Sequence, residues 1–172
     1  VKEGNLAGIA AYLDEIEDEY MYAPRKVWTG NGFLDFILSQ KKSRAESKGI
    51  VFDIDSEIIP VWGLTDSEIS VVFGNLLDNA IEAGEKVTGA DKSIHISMKK
   101  RGALIAVKIR NSIVKAPEGI NGRLISSKGQ PGVHGYGLKS VQRVISKRGG
   151  YFDCHADKDE FWVNISVFDT EG

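Results

Sequence analysis

The feature that most constrains the fold of this chain is residues 65–87, a run whose apolar residues recur at helical spacing. These residues follow one another at three- and four-residue steps and would share one face of a helix: Ile69, Val72, Leu76, Ala80 and Ala83. Thr65 and Glu68 at its start have the spacing of a capping box. The run therefore predicts one long amphipathic helix with its apolar face on a core.

The other sides of this helix carry paired oxygen ligands. Asn75 and Asn79 are four residues apart, so their amides stack on a single side, and Asp78 and Glu82 form an adjoining stripe. Amide and carboxylate oxygens suit Mg²⁺, which usually shares the phosphates of a nucleotide. The exposed face of an ordinary amphipathic helix explains the pattern equally well, so the helix alone leaves both interpretations open.

Composition excludes several classes. The 172 residues fit one domain with at most a small appendage, and 42% of them are apolar, enough for a sizeable core. A net charge of −2 argues against a nucleic-acid surface or a polybasic membrane patch. Cys154 is the single cysteine, which excludes an intrachain disulfide and fits a reducing compartment. No apolar run approaches a membrane span, and because Met is absent from position 1 we expect a piece of a longer protein.

The N-terminal residues 5–20 show a short heptad-like seam that precedes Pro24. The apolar residues of this seam are Leu6, Ile9, Leu13, Ile16 and Tyr20. We expect the end of a longer coiled coil here, and a helix packed on its own domain is the alternative.

The remaining chain alternates helices and strands. Helices are predicted within residues 33–48, 65–87 and 135–147, and strands at residues 50–55, 93–99, 104–109, 151–155 and 161–167. Glycines and prolines break every pattern in residues 112–134, and so long an irregular run is usually functional or disordered. This order predicts an α+β fold, a two-layer sandwich with a mixed sheet and helices on one face.

A second chemical element joins the irregular run to the last helix. The sequence there is Gly135-Tyr136-Gly137-Leu138, whose glycines let the backbone approach a phosphate at a helix N-terminus. Lys128 places a cation upstream, where it could meet a terminal phosphate. Asn111 stands at a strand end, where its amide could pair with an adenine edge. Each residue taken singly is also explained as an ordinary turn or loop residue.

Taken together, these motifs resemble the ATP-binding domain of the GHKL superfamily. The resemblance rests on Asn75-x-x-x-Asn79-Ala80, Asn111-Ser112, Lys128 and Gly135-x-Gly137-Leu138, in this order, and it runs from about Thr29 to the C-terminus. Within the superfamily, Thr29-Gly30-Asn31, Asp78-Asn79-Ala80-Ile81-Glu82-Ala83 and Ser127-Lys128 with His134-Gly135-Tyr136-Gly137-Leu138 resemble the peptide-quorum-sensing type of bacterial sensor histidine kinase. The resemblance implies the GHKL, or Bergerat, ATP-binding fold.

The resemblance also implies a role for each matching residue. Asn79 resembles the asparagine that coordinates magnesium, and Asn75 resembles the residue that helps to position the metal or the reacting group. The site residues that it implies for ATP are Asn75, Asn79, Asn111, Lys128, Gly135, Tyr136, Gly137 and Leu138, with residues 112–134 as the ATP lid. Asn75 and Lys128 are the residues implied to act in catalysis, and the implied cofactors are ATP and Mg²⁺.

The sequence departs from the family in its adenine-binding box. Most relatives carry Asp-x-Gly-x-Gly, whereas Asn111-Ser112-Ile113-Val114 stands here, and an uncharged amide should bind adenine more weakly than a carboxylate. Two alternatives stay open. One is a non-kinase GHKL protein, either an ATP-hydrolysing clamp or a partner-binding serine kinase. The other is a nucleotide-free scaffold.

The function that the resemblance implies is that of a sensor histidine kinase. Residues 29–172 would be its ATP-binding catalytic domain, and residues 1–28 the end of a helical dimerisation region and its linker. The enzyme would transfer the γ-phosphate to a histidine outside this chain, since His95, His134 and His155 do not lie on a seam helix. Its expected partners are ATP, a response regulator and a second copy in the full-length protein. We expect a cytoplasmic piece of a membrane-anchored sensor.

Overall fold

The computed structural model describes residues 26–89, 92–114 and 136–169 of the chain. Its helices are α1 (Gly32–Glu46), α2 (Asp66–Lys86) and α3 (Tyr136–Lys147). Its strands are β1 (Val51–Ser56), β2 (Ser93–Arg101), β3 (Leu104–Ser112), β4 (Tyr151–Asp157) and β5 (Glu160–Phe168). These elements follow the predicted order. The predicted seam at residues 5–20 and the predicted lid beyond Val114 lie outside the described residues.

The five strands form one mixed sheet in the order β1-β2-β3-β5-β4. β1 pairs with β2 in parallel, because α2 carries the chain back between them, and the other three pairings are antiparallel. This confirms the predicted α+β class and its mixed sheet.

Alternation along the strands separates a core face from an outer face. The inward side chains of the central strands are buried: Ile94, Ile96, Met98, Ile105, Val107, Ile109, Val163, Ile165 and Val167. They share one hydrophobic core with the buried residues of all three helices. The described helices therefore lie on one face of the sheet, which is the predicted two-layer arrangement.

Helix α2 is the central element of the helical layer. Its first turn is closed by the predicted capping box, in which Thr65 Oγ1 accepts from Glu68 N and the Glu68 side chain accepts from Thr65 N. Its buried residues are Ile69, Val72, Phe73, Leu76, Leu77, Ala80, Ile81 and Gly84. This buried face fixes the rotation of α2 about its axis, and hence the direction of its asparagines.

Helix α1 begins at a buried polar anchor. Asn31 is its N-cap, and its Oδ1 accepts from Leu34 N at 2.9 Å. The buried carboxylate of Asp35 accepts hydrogen bonds from the backbone N–H and the hydroxyl of Thr29, both at 2.9 Å. The Thr29-Gly30-Asn31 motif thus closes the start of the helix that packs beside α2.

The turn that follows α3 contains a position that only glycine can occupy. A Cβ on Gly150 would lie 2.3 Å from the carbonyl oxygen of Ser166 in β5. This close approach brings the C-terminal end of α3 directly onto the sheet. Within the described ranges, no helix has both the length and the apolar content that a membrane crossing requires.

Candidate functional site

Asn75 of α2 has a fixed amide orientation. Its Nδ2 donates to the carbonyl oxygen of Val71, one turn earlier, at 2.7 Å. Because the nitrogen is engaged with its own helix, Oδ1 is the atom that Asn75 presents to its surroundings.

The oxygen of Asn75 faces the start of α3. A Cβ built on Gly137 would come within 3.0 Å of Asn75 Oδ1 and 3.5 Å of Asn75 Cβ. The structure therefore brings together the predicted metal ligand on α2 and the predicted phosphate-binding glycine on α3. A hydrogen atom at Gly137 leaves open the space beside this oxygen that a methyl group would fill.

Asn79 lies one turn beyond Asn75 and is exposed. Two amide oxygens on adjacent turns fit a magnesium ion, which takes few protein ligands and completes its shell with water and phosphate oxygens. Among the described residues, no group of three or more His, Cys, Asp or Glu side chains could hold a metal ion.

Asp78 is engaged in ion pairs, whereas its spacing along the helix predicts an open oxygen ligand. Its Oδ1 accepts from Lys41 Nζ and from Arg44 NH1 of α1, each at 2.7 Å. These bonds join α1 to α2 and direct the carboxylate toward α1. Glu82, the second carboxylate of that stripe, is exposed.

Asn111 is the penultimate residue of β3, which agrees with its predicted position at a strand end. It continues the inward alternation of Ile105, Val107 and Ile109, and only 4% of its surface is exposed. Its Nδ2 donates to the carbonyl oxygen of Ser112 at 3.0 Å. The helical side of the sheet therefore holds a buried amide at the end of a strand that packs against α2.

Two of the other predicted site residues lie in the first turn of α3. Leu138 is buried in the first turn of α3, and Tyr136 is the first residue of that helix. Lys128 and Gly135 lie outside the described residues. Of the predicted set, the structure thus brings Asn75 and Gly137 together. It places Asn79 and Leu138 in the helical layer, and Asn111 in the sheet.

Sequence reasoning missed an ion pair between Glu68, in the first turn of α2, and Arg148, which follows the last residue of α3. Arg148 Nε donates to both carboxylate oxygens of Glu68 at 3.0 Å, and Arg148 NH2 donates to Oε2 at 2.6 Å. These hydrogen bonds are the largest cause of the lowered pKa of Glu68, about 2 against an ordinary 4.5. The capping-box spacing identified Glu68, but nothing local indicates a partner 80 residues away.

A groove of about 480 Å³ runs between α1 and α2 and reaches Asn75. Its walls include Phe36 and Gln40 of α1, and Ser70 and Asp78 of α2. Gly74 forms part of its α2 side, where an added Cβ would meet no atom within 4 Å. A glycine in mid-helix is unfavourable by roughly 0.5–1 kcal/mol relative to alanine, and no described neighbour requires it here.

The family of the chain follows from a comparison with protein-family models. The model described as the GHKL domain matches residues 64–168, which is more than half of the chain and covers everything from α2 to β5. The chain belongs to the GHKL family. The family prediction made from the asparagine and glycine motifs is therefore confirmed.

Curated proteins similar to this GHKL domain include sensor kinases. The sensor histidine kinase DpiB of Escherichia coli is 27% identical over 111 residues, which are 62% of this chain and 20% of that protein. A probable C4-dicarboxylate sensor kinase of Halalkalibacterium halodurans is 24% identical over 134 residues, 74% of this chain and 25% of that protein. The chain thus spans a fifth to a quarter of the length of these relatives.

Solved structures share the fold. The catalytic domain of histidine kinase ThkA matches with a TM-score of 0.65 at 20% identity, over 83% of this chain and 94% of that one. The Acinetobacter baumannii histidine kinase AdeS matches with a TM-score of 0.59 at 16% identity, over 97% of this chain and 78% of that one. At these identities the likeness shows the fold, which agrees with the predicted two-layer sandwich of the GHKL domain. The quorum-sensing subgroup stays a prediction.

Proposed function

We propose that this GHKL domain is the ATP-binding catalytic domain of a two-component sensor histidine kinase. It would bind Mg-ATP and transfer the γ-phosphate to a histidine on a dimerisation helix outside this chain. The observation that carries the proposal is the contact of Asn75 Oδ1 with Gly137 at the start of α3. The similarity to sensor kinases supports the choice of this class within the family.

Residues of α2 would bind the magnesium ion of Mg-ATP. Asn79, exposed beside the site, would ligate Mg²⁺ directly, and Asn75 would place its fixed Oδ1 against the metal or the reacting phosphate. When bound, the ion neutralises charge that develops on the transferred phosphoryl group. Lys128 would add a second positive charge at the terminal phosphate.

The start of α3 would hold the phosphates. Backbone N–H groups at a helix N-terminus face an anion, and the helix dipole favours negative charge there. Gly135, Tyr136 and Gly137 would supply this backbone surface, and buried Leu138 would anchor it to the core.

Asn111 would read the adenine. Its Nδ2 is engaged with Ser112, which leaves Oδ1 to accept from the exocyclic amino group of the base. Its burial at the end of β3 would keep water from competing for that hydrogen bond.

The groove between α1 and α2 would admit the helix that carries the acceptor histidine. It leads to Asn75, and the missing side chain at Gly74 leaves room for a second helix to approach the backbone. The acceptor would then reach the terminal phosphate from the α1 side, opposite the contact between Asn75 and α3.

The remaining assignments concern the whole protein. Residues 1–28 would be the end of the dimerisation region and its linker, and residues 29–172 the catalytic domain. The full-length protein would form a homodimer, pass its phosphate to a response regulator and be anchored in the membrane, with this domain in the cytoplasm. Subgroup membership, of the peptide-quorum-sensing type, belongs to the same proposal.

The test is phosphorylation of the full-length protein with radiolabelled Mg-ATP. We expect label that is stable in alkali and labile in acid, as for phosphohistidine, and its loss when Asn79→Ala is introduced. Acid-stable label would instead indicate a serine kinase, and release of phosphate without labelling would indicate an ATP-hydrolysing clamp. Either result would contradict the proposal.

A further inference from the structure

The ion pair between Glu68 and Arg148 is built unlike the other ion pairs of the described residues. Three hydrogen bonds of 2.6–3.0 Å connect the guanidinium to the carboxylate. Only 15% of the Glu68 side chain and 23% of the Arg148 side chain are exposed. Forked, partly shielded contacts of this kind are more rigid than a surface ion pair between flexible side chains.

The capping box adds a second constraint to the same carboxylate. Thr65 N and Thr65 Oγ1 both donate to Glu68 Oε2, at 3.0 and 3.2 Å. The rotamer of Glu68 is thus held both by its own helix and by Arg148. The low pKa of Glu68, about 2, keeps the carboxylate charged throughout the physiological range.

The pair lies on the same side of α2 as the candidate site. Glu68 and Asn75 are seven residues apart, which is about two helical turns and returns to the same face. Arg148 directly follows the end of α3, and Gly137 lies near its start. Two contacts, Glu68 with Arg148 and Asn75 with Gly137, therefore join α3 to α2 near both of its ends.

We propose that Glu68 and Arg148 are positioning residues for the nucleotide site, which hold the start of α3 at its working distance from Asn75 and Asn79. This inference rests on the function proposed above. Gly137 and Arg148 are roughly 16 Å apart along α3. If α3 tilts by about five degrees about its Arg148 end, Gly137 therefore moves by about 1.4 Å. A displacement of that size is enough to impair binding and phosphoryl transfer.

The test uses substitutions that remove the charge and keep the shape. Glu68→Gln retains a capping box, because glutamine serves at that position, and it removes the charged half of the pair. Arg148→Gln removes the other half, and Arg148→Lys keeps the charge without the fork. Glu85→Gln is the matched control, since it breaks the ion pair with Lys48 at the opposite end of the same helix.

We expect Glu68→Gln and Arg148→Gln to weaken Mg-ATP binding about five- to tenfold in calorimetry, with the binding stoichiometry unchanged. The affinity of Arg148→Lys for Mg-ATP should lie between that of these two variants and that of the parent. Glu85→Gln should bind Mg-ATP as tightly as the parent does. The double variant Glu68→Gln/Arg148→Gln should lose no more affinity for Mg-ATP than the weaker-binding single variant does, because the two residues act as one unit.

Three outcomes would overturn the inference. The first is that the parent protein binds Mg-ATP and both single variants bind it equally tightly. The second is a reduced stoichiometry at an unchanged dissociation constant, because that pattern means a partly unfolded sample and a merely structural pair. The third is an equal loss in Glu85→Gln. A parent that does not bind Mg-ATP would instead refute the proposed function, and the inference with it.

Discussion

Asn75 and Gly137 meet at the junction of α2 and α3, where an added Cβ on Gly137 would lie 3.0 Å from Asn75 Oδ1. The asparagine cannot turn away freely, because its Nδ2 is bonded to the Val71 carbonyl oxygen at 2.7 Å. An amide oxygen is thus held against a helix N-terminus, with a glycine keeping the space between them open.

This contact makes Gly137→Ala informative. The added methyl group should displace the Asn75 amide and weaken Mg-ATP binding by roughly tenfold, about 1.4 kcal/mol. The melting temperature without nucleotide should change little, since alanine is a good helix former. Calorimetry and thermal melting on the same samples give both quantities.

Gly74→Ala is the matched control for this substitution. Its new methyl group would meet no atom within 4 Å, so binding should be unchanged and stability should rise by up to about 1 kcal/mol. Unchanged Mg-ATP binding by Gly137→Ala would contradict the role given to this contact.

The adenine-reading role of Asn111 predicts a change in base preference. Asn111→Leu removes the buried acceptor at similar size, so ATP and GTP should bind equally poorly in competition experiments. Asn111→Asp keeps an acceptor oxygen and should still prefer ATP. If the leucine variant retains the parental preference, the base is recognised elsewhere.

If the groove between α1 and α2 admits the acceptor helix, a substitution in it should impair phosphoryl transfer without weakening the binding of Mg-ATP. Gly74→Leu would fill the α2 side of the groove, which is open at this position. In the full-length protein it should reduce histidine phosphorylation at least tenfold, because the acceptor helix is kept away, while the dissociation constant for Mg-ATP stays within about twofold. Full phosphorylation of this variant would show that the acceptor approaches by another route.

Burial determines the reactivity of the single thiol. Cys154 lies in the core face of β4, and its burial raises the pKa of the thiol to about 11 from an ordinary 9.0. Because the pKa is raised, the thiol stays protonated at pH 8 and should resist a disulfide reagent in the native protein. The same protein in denaturant should react fully. Rapid native labelling would contradict the buried position.

The elements of the fold follow from local sequence, and the sheet order does not. Alternating residues such as Ile94, Ile96 and Met98 identified a half-buried strand, and the spacing of Thr65 and Glu68 located the start of α2 within one residue. The order β1-β2-β3-β5-β4 arises from pairings between distant segments, which no local pattern records.

The site shows the same division. The four-residue spacing of Asn75 and Asn79 placed them on one helix, but the contact of Asn75 with Gly137 depends on how α3 packs. The same kind of spacing predicts Asp78 as an oxygen ligand, whereas tertiary packing directs its carboxylate toward Lys41 and Arg44. Spacing therefore identifies candidates, and packing decides which of them stay available.

The central claim is that this domain binds ATP through a magnesium ion held by the amides of α2. The most direct measurement is a calorimetric titration of ATP into the parent and into Asn79→Ala, each with magnesium and with a chelator. We predict one binding site in the parent that needs magnesium, and its weakening by tenfold or more in Asn79→Ala at an unchanged melting temperature, because Asn79 is exposed. Equal binding by both proteins, or binding by the parent that does not depend on magnesium, would contradict the account.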